Sequence, residues 1–340
     1  MNPLTGQRVL LIAPRFFGYD QDIATELRRR GAEVDFLPDR PFDTPLMKAV
    51  TRFGRQLILK AADKFYQRAF ERLGRASYDL IFVVNGQTLS TFILTELRSS
   101  FPNARFVLYI WDSFRNRRSI IDNLHFFDDC LSFDPDCSKA YGLRFRPRFF
   151  SPGFAHGHTD EFDYHLSFIG TAHTDRYTII SSVAQSLEPH IRCYWYLYIQ
   201  APWVFYVYRL SNPAFRTAKI ASFHFEPLQR VDVQKVFFRS RAILDIEHPL
   251  QTGLTIRTLE TLGASRKLIT TNGRVREYDF FRDENIYVID RRRAKVPKSF
   301  LETPYCVVDP LLYEKYSLKG WMDEVLGNES VPLRDRTAYR

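Results

Sequence analysis

The chain alternates short runs that are apolar on both faces with stretches of helical periodicity, and this pattern restricts its fold more than any other feature. Residues 8–14 (RVLLIAP), 79–84 (DLIFVV) and 105–111 (RFVLYIW) are near-continuous apolar runs of strand length. Strands buried on both faces belong to parallel sheets covered by helices on each side. Further strands are expected at 33–37 and 130–133, with helices at 21–30 and 89–99 between them. The alternation lapses into Pro, Gly, His and Asp over 146–163, which reads as an inter-domain linker. It then restarts, with strands expected at 164–170, 191–199, 221–225, 242–246, 267–270 and 285–289. Helices are expected at 176–187, 231–238 and 254–262, and a closing helix at 313–326. No tandem repeat of solenoid period occurs.

The fold class is therefore α/β, with two Rossmann-like doubly wound domains facing a cleft. The first domain covers 1–155 and carries a basic helical insert at 46–75. The second covers 156–327, and 328–340 is a basic tail. A length of 340 residues is more than one hydrophobic core usually serves, in keeping with that division.

Lys and Arg number 48 against 39 Asp and Glu, a formal net charge of +9. Such a balance suits nucleic acid, an anionic membrane surface or phosphorylated small molecules. In the 46–75 insert, eight bases (Lys48, Arg52, Arg55, Lys60, Lys64, Arg68, Arg72, Arg75) face only Asp63 and Glu71. Its apolar residues recur at helical spacing, so it reads as a helix that docks on its own sheet and turns a basic face outward, where anionic lipid can meet it. The four cysteines have no metal-ligand spacing, which favours a reduced, cytoplasmic protein; the basic face of the 46–75 insert is what suggests peripheral contact with the inner face of the cell membrane. The most apolar stretch, 193–208, is interrupted by Gln200 and Pro202 and is too short to span a bilayer.

Residues 245–272 carry the most chemistry. A strand ends in the polar loop 247–253, a helix with Arg257 and Glu260 on one face follows, and a second strand ends at Thr271 and Asn272. In an open parallel sheet, loops at the carboxyl ends of strands line the ligand crevice. A helix opening near Gly253 directs free N–H groups there, a setting that favours phosphate. The competing reading of Arg257 and Glu260 is a surface ion pair on a packing helix.

This succession, from the Gln-Thr-Gly loop through the Arg257/Glu260 helix to the Thr271–Asn272 strand end, resembles the second domain of GT-B glycosyltransferases. It is most similar to the bacterial lipopolysaccharide and capsular polysaccharide type related to the CgeB-like group. Phe168 to Thr171, Tyr278 to Phe281 and Trp321 support the resemblance. It implies a nucleotide-sugar donor held by the second domain, an acceptor held by the first, and a C-terminal helix that crosses back to the first domain. Carried over, Glu260 would hold the ribose, and Arg257 with Gln251, Thr252 and Gly253 would approach the diphosphate or sugar. Gly170, Thr171 and Arg176 would lie beside the phosphates, with His248, Leu254 and Asn272 completing the donor side. The nucleotide-sugar is a substrate; no cofactor and no metal are expected. Many retaining members carry a second Glu separated from the ribose Glu by seven intervening residues, where this chain has Thr252.

In the first domain, the loop after the first strand (Arg15, Phe16, Gly18) occupies the place of the glycine-containing loop of this architecture and is assigned, with Asn85, to the acceptor side. Asp112 follows the 105–111 strand and is the candidate base that deprotonates the acceptor hydroxyl; a helix N-cap or turn residue is the alternative. His156, His158 and Asp160 begin like a metallo-hydrolase motif but end in Glu161. Asp134 and Asp136 match a metal-binding DxD, although Asp136 also suits an N-cap for a helix from Cys137. The aromatic run 194–208 is most economically a buried strand in its first part.

The function expected from this is metal-independent transfer of a sugar from a nucleotide-sugar donor to a surface-polysaccharide or lipid-linked glycan acceptor, with no nucleic-acid partner. The alternatives are a nucleotide-sugar epimerase on the same scaffold, or a non-catalytic basic protein that binds membrane or nucleic acid.

Overall fold

The computed structural model describes residues 4–40, 55–73, 77–112, 118–159, 161–249 and 251–327. These form two compact units, one of Met1–Arg146 with Lys319–Arg340 and one of Pro147–Leu318.

The first unit is built on a six-stranded sheet in the order β2-β1-β3-β4-β5-β6. Its strands are β1 Arg8–Ala13, β2 Glu33–Pro38, β3 Leu80–Val84, β4 Arg105–Ile110, β5 Asp129–Ser132 and β6 Arg144–Phe145, and every pairing is parallel. All five residues of β3 are buried, as expected of a strand covered on both faces. The helix Arg55–Leu73 docks through Ala62 and Tyr66, both fully buried, and the Tyr66 hydroxyl donates to the Pro38 carbonyl at 3.0 Å. Lys60, Lys64, Arg68 and Arg72, spaced four apart, line its exposed side. The remainder of the basic insert, including Lys48, Arg52 and Arg75, lies outside the described residues, as does the 328–340 tail.

The second unit carries a five-stranded sheet in the order β11-β10-β9-β7-β8. Its strands are β7 Tyr164–Thr171, β8 Cys193–Tyr198, β9 Ser240–Asp245, β10 Lys267–Thr270 and β11 Ile286–Val288, again all parallel. Parallel pairing sends each carboxyl end to the same edge of the sheet, so the loops after β7, β9, β10 and β11 gather there.

Three sequence readings change. The first domain ends at Arg146 rather than at 155, because the aromatic residues beyond it pack into the second unit. Phe154 meets Phe237 edge-on at 5.2 Å, and Phe150 lies so close over Gly263 that a Cβ there would stand 2.6 Å from its ring. Much of the expected linker is therefore core. The closing helix is two helices, Pro310–Lys315 and Leu318–Leu326. The break falls where the Phe150 amide donates to the Tyr316 carbonyl at 2.9 Å and the chain passes from one unit to the other. The expected strand at 221–225 is reduced to a bridge between His224 and Tyr198, preceded by a 3-10 turn at Ile220–Ser222.

The Leu318–Leu326 helix returns to the first unit as the resemblance implied. Trp321 is fully buried and meets Tyr109 edge-on at 4.8 Å. Arg30, also buried, donates to Glu26 at 2.8 Å, to Asp323 at 2.5 Å and to the Lys319 carbonyl at 2.8 Å. Arg146, 2% exposed, pairs with Glu324 at 2.9 Å. Trp321→Ala is therefore expected to lower the unfolding free energy of the first unit by about 3–5 kcal/mol, the usual cost of emptying a buried Trp site. Urea denaturation followed by circular dichroism measures this, and a loss under about 1 kcal/mol would contradict the anchoring role.

Candidate functional site

At the carboxyl edge of the second sheet, β7 ends in Gly170 and Thr171, β9 in Asp245, and β10 in Thr270 followed by Thr271 and Asn272. Three arginines converge on these ends. Arg176, first residue of the helix Arg176–Ser186, donates Nη1 to the Thr171 carbonyl and Nε to the Ile246 carbonyl, both at 2.9 Å. Arg257, in the helix Ile256–Gly263, donates Nη1 to the Ile169 carbonyl. Arg291, three residues past β11, donates Nη1 to both Asp175 oxygens at 2.7 and 2.8 Å, and Nη2 to Glu247 Oε1 at 2.8 Å and to the Glu247 carbonyl at 2.7 Å.

The charges here do not cancel evenly. Arg291 has two carboxylate partners, whereas Arg176 and Arg257 are held by backbone carbonyls. Burial, together with the neighbouring Arg257, pushes the Arg176 guanidinium down to about 10, and Asp245 and Glu247 only partly offset this. Arg257 Nε is buried and has no hydrogen-bond partner among the described residues. Gly170 lies against both guanidiniums: a Cβ there would stand 3.3 Å from Arg257 Nη1 and 3.4 Å from Arg176 Nη1. A backbone free of side chain lies where two cations face the strand end, an arrangement that suits close approach of an anion.

The loop after β9 is pinned from below. Asp245, 2% exposed, accepts from Thr255 Oγ1 at 2.7 Å and Thr258 Oγ1 at 2.9 Å. Gln251 Nε2 and Asn272 Nδ2 both donate to the Gly253 carbonyl, at 2.8 and 3.5 Å. Thr271 donates to the buried Glu247 carboxylate. Leu254 is 2% exposed and anchors the loop, while His248 stays exposed. The helix starts at Ile256, with the Thr255 side chain accepting from the Thr258 amide at 3.3 Å, three residues later than Gly253. Glu260 is on the buried side of this helix, 6% exposed. Arg257 does not pair with it along the helix but crosses to β7, so the surface ion-pair reading fails.

The sequence reading overlooked Arg291, Asp175 and His173, and it placed Glu247 in the polar loop as the acid nearest Thr252 without giving it a role. Arg291 follows a parallel strand at its carboxyl end, and that position was the available signal. In the β7 loop, Thr174 is held at φ 56°, a region a β-branched residue rarely occupies and one often found at ligand loops. His173, 5.9 Å from His248, is pushed down to about 4 by burial, with Arg176 and His248 adding to the effect.

The first-unit candidates form a separate group. Gly18, at φ 76°, opens the helix Tyr19–Arg29. Phe16 is half exposed, and the Arg15 guanidinium is 5.9 Å from the Phe36 ring centre. Together with Gln21 and Arg28 these residues line a groove of about 560 Å³. Asn85 is a turn residue at φ 70°, 2% exposed, its side chain accepting from the Trp111 amide at 3.1 Å. Asp112 is half-exposed just beyond β4, and residues 113–117 after it lie outside the described residues.

The metal-like motifs resolve into packing. His156 stacks on Phe238 at 4.3 Å and His158 on Tyr305 at 5.1 Å; Asp160 lies outside the described residues. Asp134, not Asp136, is the N-cap: it accepts from the Asp136 and Cys137 amides, both at 3.0 Å, for the helix Pro135–Tyr141. No group of three or more His, Cys, Asp or Glu placed to hold a metal occurs among the described residues.

No profile of a known family matches the sequence, and no curated protein matches it. Solved structures do match along nearly the whole chain. HepE of Anabaena, in complex with UDP-glucose, superposes with a TM-score of 0.58 at 11% identity, covering 94% of this chain and 98% of its own. A glycosyltransferase from Rickettsia africae superposes at 0.54 with 9% identity, covering 95% and 99%. This is the GT-B fold. The catalytic domain of starch synthase IV from Arabidopsis thaliana, bound to ADP and acarbose, superposes at 0.53 with 8% identity, covering 96% and 93%.

His173 supplies a pH test of the site. Its folded pKa is below the unfolded value, so the unfolded chain binds the extra proton, and stability falls as pH drops from about 6.5 to about 4. His173 is only half-buried, so solvent screening reduces the effect to about 1–2 kcal/mol. His173→Gln should flatten the melting temperature over that window; an unchanged slope would reject the assignment.

Proposed function

We propose that the protein is a glycosyltransferase that moves a sugar from a nucleotide-sugar donor to a hydroxyl of a surface-polysaccharide or lipid-linked glycan, without a resident metal. The observation that carries this reading is the pair Arg176 and Arg257 facing Gly170, both held by backbone carbonyls rather than by carboxylates. Cleavage of a sugar–phosphate bond builds negative charge on the departing nucleotide diphosphate. Guanidiniums fixed in a water-poor pocket stabilise that charge without reorganising. Arg291, clamped by Asp175 and Glu247, holds the loops after β7 and β9 in register around them.

Glu260 is assigned to the ribose, and Thr252, Gly253 and Asn272 to the face of the loop that meets the donor. The first-unit groove lined by Arg15, Phe16 and Gly18 is assigned to the acceptor, and Asp112 to the proton taken from its hydroxyl. UDP-glucose in HepE and ADP in starch synthase IV support a nucleoside diphosphate as the leaving group. The exposed stripe of Lys60, Lys64, Arg68 and Arg72 suits contact with an anionic membrane on which a lipid-linked acceptor is presented.

Charge-assisted hydrogen bonds to a phosphate contribute about 1.5–3 kcal/mol each, so Arg257→Met is expected to weaken UDP or ADP binding by about 10- to 100-fold in calorimetry. Glu260→Gln should weaken nucleoside diphosphates while leaving inorganic pyrophosphate unaffected. Equal nucleotide affinity in wild type and Arg257→Met would sink the site assignment. Incubation with donor alone distinguishes transfer from epimerisation, since only the latter alters the sugar without an acceptor.

A further inference from the structure

The helix Pro202–Ser211 has two faces that are both apolar. Phe205, 1% exposed, enters the core of the second unit and packs against Phe223 at 5.4 Å, with Val204 and Tyr208 beside it. On the opposite face stand Trp203, 68% exposed, Tyr206, 55%, Val207, 48%, and Leu210, 87%. Their spacing of three, four and seven residues from Trp203 puts them in one stripe. Single exposed apolar side chains are ordinary, but a contiguous stripe marks a surface built to be covered.

The charge around the stripe identifies what covers it. Between Glu188 and Glu226 the chain has no acidic residue, and its bases there are Arg192, Arg209, Arg216 and Lys219. Arg209, Arg216 and Lys219 are exposed. Trp and Tyr favour the level of lipid headgroups, and basic residues beside an apolar face draw it to anionic lipid. An acidic protein partner would meet the same bases, but the aromatic–aliphatic composition of the stripe, with no charged side chain among its four residues, fits a bilayer boundary.

The helix also sits at the functional edge of its own unit. The chain leaves the sheet after β8 at Ile199, whose amide donates to the His224 carbonyl at 2.9 Å, and the intervening residues form an excursion from that carboxyl edge. Asn212, which caps the helix end, donates Nδ2 to the Thr174 carbonyl at 2.8 Å. Thr174 adjoins Asp175, the partner of Arg291.

We propose that the Pro202–Ser211 helix is an interfacial anchor that seats the second unit on an anionic lipid surface, with Trp203, Tyr206, Val207 and Leu210 entering the headgroup boundary. This surface is distinct from the basic stripe of the first unit, and it stands whether or not the protein transfers sugar.

The full-length protein is to be tested by co-flotation with vesicles of phosphatidylcholine containing about a quarter phosphatidylglycerol, and with pure phosphatidylcholine vesicles. Wild type is expected to partition at least about 10-fold more strongly onto the anionic vesicles. The double substitution Trp203→Glu and Leu210→Glu is expected to reduce that partitioning by at least about 10-fold. Both positions are exposed, so circular dichroism and the melting shift with UDP should match wild type. Anionic vesicles should also blue-shift tryptophan emission, and Trp203→Phe should abolish that shift although the other three of the four tryptophans remain.

Absence of wild-type partitioning would overturn the proposal. So would full partitioning by the double variant with loss only in Lys64→Glu/Arg68→Glu, which would assign contact to the first unit. A concentration-dependent dimer abolished by the double variant, without vesicle binding, would assign the stripe to a second copy and overturn it as well. Loss of the UDP melting shift in wild type would defeat the donor reading and leave this one intact.

Discussion

A parallel strand pair cannot be closed by a tight turn; each return of the chain requires a crossover, and the crossover must cover a face of the sheet. This constraint governs both units, because every strand pairing described is parallel. It forces strands such as β3 to be apolar on both faces, since helices close them off from water above and below. It also collects the loops that leave the strands on a single edge. Chemistry-bearing side chains from residues as far apart as Arg176 and Arg291 meet for that reason, and not because of any local motif.

On that edge the three arginines are treated differently. Arg291 forms ion pairs with two carboxylates and acts as a strut between the loops after β7 and β9. Arg176 and Arg257 are oriented by carbonyl oxygens, which fix direction while leaving the formal charge uncancelled. Desolvating such groups is costly. The arrangement is sustained by the rigid lower layer, where two threonine hydroxyls satisfy Asp245 and another satisfies Glu247. The result is an ordered edge at which Arg176 and Arg257 are partly dehydrated and fixed in direction by backbone oxygens, beside carboxylates held by Arg291 and the threonines.

Much of this was legible in the residues themselves. Alternation of doubly apolar runs with helical periodicity located ten of the eleven described strands to within a residue or two, and Lys267–Thr270 to the residue; the two-residue β6, too short to carry a pattern, was not foreseen. The Arg257/Glu260 helix and Gly170 were identified because their order along the chain is a local pattern. Arg291 and Asp175 were not, since their pairing exists only after β11 joins the sheet beside β10. The segment 146–163 misled for a different reason: its Pro, Gly and His content is loop-like, but Phe149, Phe150 and Phe154 among those residues are almost wholly buried. Composition describes the backbone's freedom there, whereas three aromatic anchors determine where it goes. The strand expected at 221–225 failed for want of a partner along its length, with only His224 reaching β8.

The return of the Leu318–Leu326 helix to the first unit has a consequence for how the chain is made. The second unit is contiguous, so all of its residues have emerged from the ribosome before the final helix does. The first unit is different: Arg30 and Arg146 are synthesised long before Asp323 and Glu324 exist to pair with them. Until then two guanidiniums destined for burial, and the Phe82 and Tyr109 faces that receive Trp321, remain exposed to water. The unit whose strands are synthesised first thus waits for the second unit to emerge before it can dock the nine-residue helix Leu318–Leu326.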